Sequence, residues 1–371
     1  MILKTFELKD FRNYESEEAV FHEKINILTG RNAQGKTNLI EAINLLALGK
    51  SFRTRKEQEL VRFGAEEARV KGTFEKKDRT QTTEIRLRSG ASEKKTYIID
   101  GLETDTVADL LGGVYTIVFS PEDLRIVKGD PETRRKFLDR EIILLKPLYY
   151  HKLKKYRKAL KTRNALLKSD KVSNDLLDIF DAQLAEAASE VMKERFSWLK
   201  SLSEAAREAG LLMTDGAEKL RVEYRPHLSH IGDDCSKEAI LEVFSRGRER
   251  DVLTRSTEAG PHRDDFAVYD SELDLRVYGS QGQQRTAALS LRLAEREMIK
   301  RETGEDAILL LDDVMSELDE GRQERLLGNF GENQIFITAA SWPPKFKDES
   351  WGRDNPLAEA KVIRIDGGHI I

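Results

Sequence analysis

Residues Gly30, Arg31, Asn32, Ala33, Gln34, Gly35, Lys36 and Thr37 fit the spacing G-x-x-x-x-G-K-[ST], a loop that cradles a nucleotide's phosphates. Each residue type has a physical reason to be there. Glycines let backbone N–H groups approach the phosphates, a helix N-terminus adds partial positive charge, and Lys36 brings a point charge that apolar packing cannot use. Thr37 offers a hydroxyl to Mg²⁺, which takes oxygen ligands. Far downstream the apolar run "ILLLDD" ends on Asp312 and Asp313. Beside such a loop the first carboxylate can hold Mg²⁺ and the second can orient water. The expected chemistry is nucleotide hydrolysis, with Lys36 and Asp313 catalytic and Thr37 and Asp312 on the metal. A glycine turn with a solvated lysine, or a strand ending in a polar turn, would explain each motif singly but not their joint presence.

Several elements must position these residues. "INIL" precedes the loop as a β-type run, and Leu39, Ile40, Ile43 and Leu46 follow it at the spacing of an amphipathic helix that stops at Gly49. The first 120 residues read as β-rich, in "MILKTFEL", "RVKGTFE", "TEIRLRS", "TYIIDGL" and "VYTIVF", with Asp100-Gly101 as a hairpin signal. Asp130 as N-cap and Pro131 at the first helical position open a helical block reaching about residue 210. In it Tyr149, Leu153, Tyr156, Leu160 and Leu167 make one apolar seam, and Leu177, Phe180, Leu184, Ala188, Val191 and Leu202 another. "KSDKVSND" separates them, so two long antiparallel helices are expected. Strand patterns return in "LRVEYR", "DFAVYD", "LDLRVY", "AILLLDD", "QIFIT" and "AKVIRI", with a helix over about 284–301. Lys36 and Asp312 lie much further apart in the chain than a compact nucleotide-binding core needs. The reading is an α/β ATPase lobe over 1–120 and 255–371, interrupted by a helical lobe over 121–254.

The chain has 371 residues, 35% of them charged, and a net charge of −4. No global basic field advertises nucleic acid, so contact with it requires a local patch. A single cysteine, Cys235, rules out an internal disulfide. The N-terminus carries no uninterrupted apolar segment, and a cytoplasmic protein without membrane contact is expected. Lys152, Lys154, Lys155, Arg157, Lys158, Lys161, Arg163, Lys168 and Lys171 face one acid, Asp170. On a helix they would form a basic stripe able to displace counterions from phosphates, with Lys154, Lys155, Lys158 and Lys161 as its DNA contacts; a solvated surface is the plainer alternative. No base-reading pattern is present, so binding should be independent of sequence. Lys50, Arg53, Arg55 and Lys56 form a smaller basic group. Arg134 and Arg135 oppose the dipole of a first helical turn, and an Arg135 to Asp139 pair would account for the latter.

In "YGSQGQQRTAALSLRLAE", Ser280, Gln281, Gly282 and Gln283 resemble the S-G-G-Q signature of ABC-type ATPases, with Gln281 replacing a glycine. "SELD", after the acidic pair, resembles the D-loop of that superfamily. Together with "DFRNY", "KSFRT", "SPEDLRIVKGDPETRRKFLD", "GPHRDD" and "LLLDDVMSELD", these stretches make nearly the whole chain resemble the RecF family of bacterial recombination and repair proteins. The resemblance implies an ABC-type P-loop ATPase head related to SMC proteins, with mixed sheets and an inserted helical lobe. It implies ATP and Mg²⁺ as cofactors, with Ser280, Gly282 and Gln283 joining residues 30–37 in nucleotide binding. It further implies slow, DNA-stimulated hydrolysis, an ATP-dependent homodimer on DNA, and recombinase loading at gaps in the SOS response with RecR and RecO. Asp313 falls where many ABC ATPases carry a glutamate. "SPEDL" stands at the place of the usual Q-loop glutamine, and Ala339 and Ala340 where a switch histidine is usual, which leaves Thr338 and His262 as polar candidates. The competing classes are a P-loop kinase or transporter ATPase, an SMC-type tether, an ATP-holding module without turnover, and a switch acting on a protein partner without touching DNA.

Overall fold

The computed structural model describes residues 1–54, 56–89, 94–169, 171–228, 235–340 and 359–371. It divides into two compact units, Met1–Pro121 with Glu295–Ile371, and Glu122–Ala294.

The first unit holds two six-stranded sheets. One is antiparallel, built from β1 (Ile2–Phe11), β2 (Tyr14–Val20), β4 (Glu67–Glu75), β5 (Thr80–Arg88), β6 (Lys94–Ile99) and β7 (Leu102–Thr104), in the order β2-β1-β4-β5-β6-β7. Asp100 and Gly101 turn β6 into β7 with positive φ at both positions, as the dipeptide suggests. The other sheet contains β3 (Ile25–Thr29), β8 (Thr116–Phe119), β12 (Ile308–Leu311), β13 (Ile335–Ala339), β14 (Lys361–Asp366) and β15 (His369–Ile370). Its order is β15-β14-β3-β13-β12-β8, parallel except for β15. All four residues of β12 are buried, as a strand covered on both faces requires.

Helix α1 (Lys36–Leu48) contacts strands of both sheets and is not amphipathic. Glu41 and Asn44 are buried along with Leu39, Ile40, Ile43 and Leu46, because a helix enclosed by two sheets has no solvent face. A buried aliphatic side chain contributes about 1.5–3 kcal/mol, which offsets the cost of enclosing those polar groups, and each of them finds a partner. Asn44 accepts from the Thr116 hydroxyl at 3.0 Å.

The first unit also has the short α2 (Val107–Leu110), and the second carries α3 (Leu124–Lys128), α4 (Pro131–Leu145), α5 (Leu148–Leu167), α6 (Asn174–Met213) and α7 (Lys237–Thr254), with a three-stranded sheet of β9 (Leu220–Arg225), β10 (Asp265–Asp270) and β11 (Leu273–Asp274). Asp130 caps α4 through the Thr133 N–H at 2.8 Å. Helices α5 and α6 pair, but with 20 and 40 residues they reach only about 30 and 60 Å. The unit extends to Ala294, beyond the expected 254, because β10 pairs along its whole length with β9, which packs on α6. Of "LDLRVY" only Leu273 and Asp274 form a strand.

The α5 seam also differs from expectation. Leu160 is half-buried, whereas Arg163, at the next heptad step, is fully buried. It donates to Asp181 at 2.6 Å, Asp251 at 2.7 Å and Thr257 at 2.7 Å, three partners distant in sequence.

Candidate functional site

Strand β3 ends at Thr29 and α1 begins at Lys36, so residues 30–35 make the tight connection between them. Gly30 has φ 151°, and a Cβ there would run into the Ile365 carbonyl oxygen. Only glycine fits that backbone. Lys36 is 5% exposed, and its ammonium donates to the carbonyls of Gly30 at 2.6 Å and Arg31 at 3.0 Å. The loop thus concentrates positive charge at its centre. Arg31, Asn32 and Ala33 are exposed, and Gln34 is half-buried.

The strand order places β13 between β3 and β12, and the register sets Leu311 opposite Ile337. The next residues along, Asp312 and Thr338, therefore meet at the carboxyl ends of the parallel strands, where open α/β sheets present their ligand crevices. The Thr37 hydroxyl donates to Asp312 Oδ1 at 2.9 Å. Thr338 Oγ1 lies 3.1 Å from that same oxygen and 3.4 Å from Asp313 Oδ1, and accepts the Asp313 N–H at 2.9 Å. Asp312 is 8% exposed, and burial pushes its carboxyl above the usual range. The Thr37 hydrogen bond opposes that shift and the negative charge of Asp313 adds to it. A cation bound there would favour the ionised form. Asp313 itself is exposed, at φ 55°, a left-handed conformation that aspartate tolerates better than most residues.

These groups fit Mg²⁺ bound with a phosphate substrate. Among the described residues no cluster of three or more His, Cys, Asp or Glu side chains is arranged to hold a metal ion. One hydroxyl and one carboxylate are hard oxygen donors, and Mg²⁺ characteristically binds through one or two carboxylates plus water and substrate phosphates.

Sequence reasoning did not assign the groups supporting this loop. Arg12 donates twice to Glu41, at 2.8 and 2.9 Å, and the Ser51 hydroxyl donates to the same carboxylate. Arg53 donates to Asn38 at 2.7 Å, stands 3.5 Å from Glu41 and is close enough to lower the Asp312 pKa. "DFRNY" and "KSFRT" thus converge on α1. Both were visible as motifs, but their partners, 10 to 29 residues away on α1, were not. Arg55 lies outside the described residues.

In the second unit Ser280 and Gln283 form a reciprocal capping box at the start of α8 (Gln281–Thr303). The Ser280 N–H donates to Gln283 Oε1 at 3.0 Å, and the Gln283 N–H to Ser280 Oγ at 3.2 Å. Ser280 and Gln281 are exposed and Gly282 is half-buried. Ser316 donates to the Asp313 carbonyl, and Asp319 caps α9 (Glu320–Gly328). His262 is a satisfied turn histidine: its ring binds the Tyr156 hydroxyl at 2.6 Å and the Thr257 carbonyl at 3.0 Å, and burial pushes its pKa down.

The expected Arg135 to Asp139 pair is replaced by longer-range contacts. Arg135 donates to the Asp264 carbonyl at 2.7 Å, Arg134 binds Asp265 with two hydrogen bonds at 2.6 and 2.8 Å, and Asp139 accepts from Arg195 at 2.9 Å. Through the Pro261 carbonyl, Asp264 and Asp265, "GPHRDD" is therefore an anchor for α4 and α6. The basic stripe is narrower than its composition suggests. Arg163 is buried, Lys152 pairs with Glu194 at 2.6 Å, and Lys155 pairs with Glu186 and Glu190 at 2.9 and 3.2 Å. Lys154, Lys158 and Lys161 remain exposed without an ion pair among the described residues. Asp170 lies outside those residues. Also among them, no helix is long and apolar enough to cross a membrane.

The RecF/RecN/SMC N terminal domain matches residues 2–342. The DNA replication and repair protein RecF of Clostridioides difficile (strain 630) is 40% identical over 373 residues, covering 99% of this chain and 100% of that protein. A solved structure of the recombination mediator protein RecF-ATP in the RecFOR pathway superposes with a TM-score of 0.89 at 35% identity, over 100% of this chain and 97% of the other. An SMC head bound to the C-winged helix domain of ScpA shares the fold, with a TM-score of 0.56 at 15% identity over 100% and 97% of the two chains. With a phosphate-type loop, an acidic pair at the neighbouring strand ends and likeness along its full length, this chain belongs to the RecF family of DNA replication and repair proteins.

Proposed function

We propose that this chain is an ATP-dependent DNA-binding protein of recombinational repair and replication-fork maintenance in the cytoplasm. It dimerises with ATP on DNA, hydrolyses ATP slowly under DNA stimulation, and assists recombinase loading at gaps in the SOS response, with RecR and RecO as partners. The observation that carries this reading is the Thr37 hydroxyl, 2.9 Å from Asp312, beside a loop with the buried ammonium of Lys36 at its centre. Names and bound ATP among the relatives support the same reading.

In this scheme residues 30–37 bind the phosphates through backbone N–H groups and Lys36. Thr37 and Asp312 would hold Mg²⁺, which neutralises phosphate charge. Asp313 orients a water and takes its proton as the water oxygen bonds to the γ-phosphorus and ADP leaves. Thr338 holds both carboxylates in position.

Each chain carries one P-loop and one S-x-G-Q stretch, so a second copy would supply Ser280, Gly282 and Gln283 to the phosphates. Sedimentation with ATP and Mg²⁺ is expected to give a dimer that Ser280→Arg abolishes while nucleotide binding survives. A monomer under all nucleotide conditions would overturn the dimer reading.

For DNA, neutralising Lys154, Lys158 and Lys161 together should weaken binding to unrelated sequences alike and flatten the slope of log affinity against log salt by up to about 3. The glutamates already paired with Lys152 and Lys155 favour, as a second reading, a switch acting on a protein partner without direct DNA contact. Binding to duplex, single-stranded and gapped DNA with and without ATP separates the two, because that second reading requires no affinity for any of them.

A further inference from the structure

Gln34 occupies a position that the phosphate-loop spacing leaves unspecified, yet it accepts three hydrogen bonds from outside the loop. Its carbonyl accepts from Asn13 Nδ2 at 2.9 Å and from the Gly368 N–H at 2.9 Å. Its side-chain oxygen accepts the Gly367 N–H at 2.6 Å. Both glycines form the turn of the β14–β15 hairpin, at φ 59° and 84°. The turn cannot retreat easily. A Cβ on Gly368 would strike the Asn13 carbonyl, and β15 is tied to β2, where Glu17 accepts from the Ile370 N–H at 3.0 Å and from His369 at 2.8 Å. From the other side Tyr14 donates to the Gly35 carbonyl at 3.0 Å, and Gly30 lies against Ile365 of β14.

We infer that the hairpin turn at Gly367 and Gly368 is a positioning clamp that sets the phosphate-binding conformation of the loop through Gln34. Peptide N–H groups that point at an anion can do so only if the loop's carbonyls face elsewhere. Gln34 meets that demand by giving its carbonyl to Asn13 and Gly368 and its amide oxygen to Gly367. The side chain therefore acts on the nucleotide through the loop and not by touching it. By reciprocity, a nucleotide that selects this conformation must also stabilise the hairpin turn.

The inference rests on the reading of residues 30–37 as a nucleotide site, and the test keeps the two apart. Amide hydrogen exchange at Gly367 and Gly368 is followed in the full chain with and without ATP, alongside ATP titrations of the parent, Gln34→Met and Lys36→Ala. ATP should slow exchange at the turn in the parent. Gln34→Met, which keeps the length but loses the acceptor, should weaken ATP several-fold, up to about tenfold, the scale of one lost hydrogen bond, and should uncouple the turn from ATP. Exchange at the turn that ignores bound ATP in the parent overturns the clamp, even if Gln34→Met fails to fold. Parental affinity in Gln34→Met overturns it too. Parental affinity in Lys36→Ala would instead remove the nucleotide reading itself.

Discussion

Asp313→Asn is expected to bind ATP and dimerise as the parent does, and to hydrolyse ATP about 10²–10⁴-fold more slowly, the usual worth of general-base help. The expectation follows from the unequal surroundings of the two carboxylates. Asp312 is buried, shares Oδ1 with the hydroxyls of Thr37 and Thr338, and is the carboxylate proposed to hold Mg²⁺. Asp313 is exposed, with its backbone N–H on Thr338 Oγ1 and Oδ1 3.4 Å from the same hydroxyl, so its carboxylate is oriented yet open to a water. Asparagine preserves the shape and hydrogen bonding but cannot take a proton. Aspartate is also one methylene shorter than the glutamate usual in ABC ATPases, so parental turnover is itself expected to be slow. Asp312→Asn should instead weaken Mg²⁺-dependent nucleotide binding, since a ligand charge is lost. Nucleotide titration beside steady-state hydrolysis separates these outcomes. Parental hydrolysis in Asp313→Asn would mean that the base lies elsewhere.

Arg163→Leu should lower unfolding stability by about 3–5 kcal/mol, the cost of breaking a buried ion pair. The guanidinium is fully buried between Asp181 on α6 and Asp251 on α7. Removing it leaves two carboxylates facing leucine. Asp181 keeps Arg248 at 2.7 Å, which places the effect toward the lower end of that range. Chemical denaturation of the parent and variant measures the loss. The same substitution decides whether Arg163 belongs to the basic stripe. A DNA contact would change the salt slope and leave the unfolding midpoint in place, whereas a core residue does the reverse. An unchanged midpoint with a flatter slope would refute the buried assignment.

The contrast between Lys36 and Arg163 separates what was legible in the sequence from what was not. A phosphate loop is a local object: its glycines, lysine and threonine are contiguous, and the flanking strand and helix are set by residues close in the chain. The same holds for the Asp130 cap, the Asp100-Gly101 turn and the uniformly apolar β12. By itself the sequence therefore determined the loop, the acidic pair, the α/β class and the two paired helices. Tertiary structure decided everything that depends on a partner far along the chain. The α1 pattern predicts an exposed face because periodicity records which positions are apolar, not how many sheets enclose them. The charge of Arg163 reads as solvated until Asp181 and Asp251 converge on it. Thr338 joins the acidic pair only because β13 lies between β3 and β12 in that register. Gln34 is an unconstrained letter in its motif until a hairpin some 330 residues away presents two N–H groups to it. Local backbone preference is written in neighbouring residues, whereas desolvation and hydrogen-bond satisfaction depend on which distant groups the fold brings within about 3 Å.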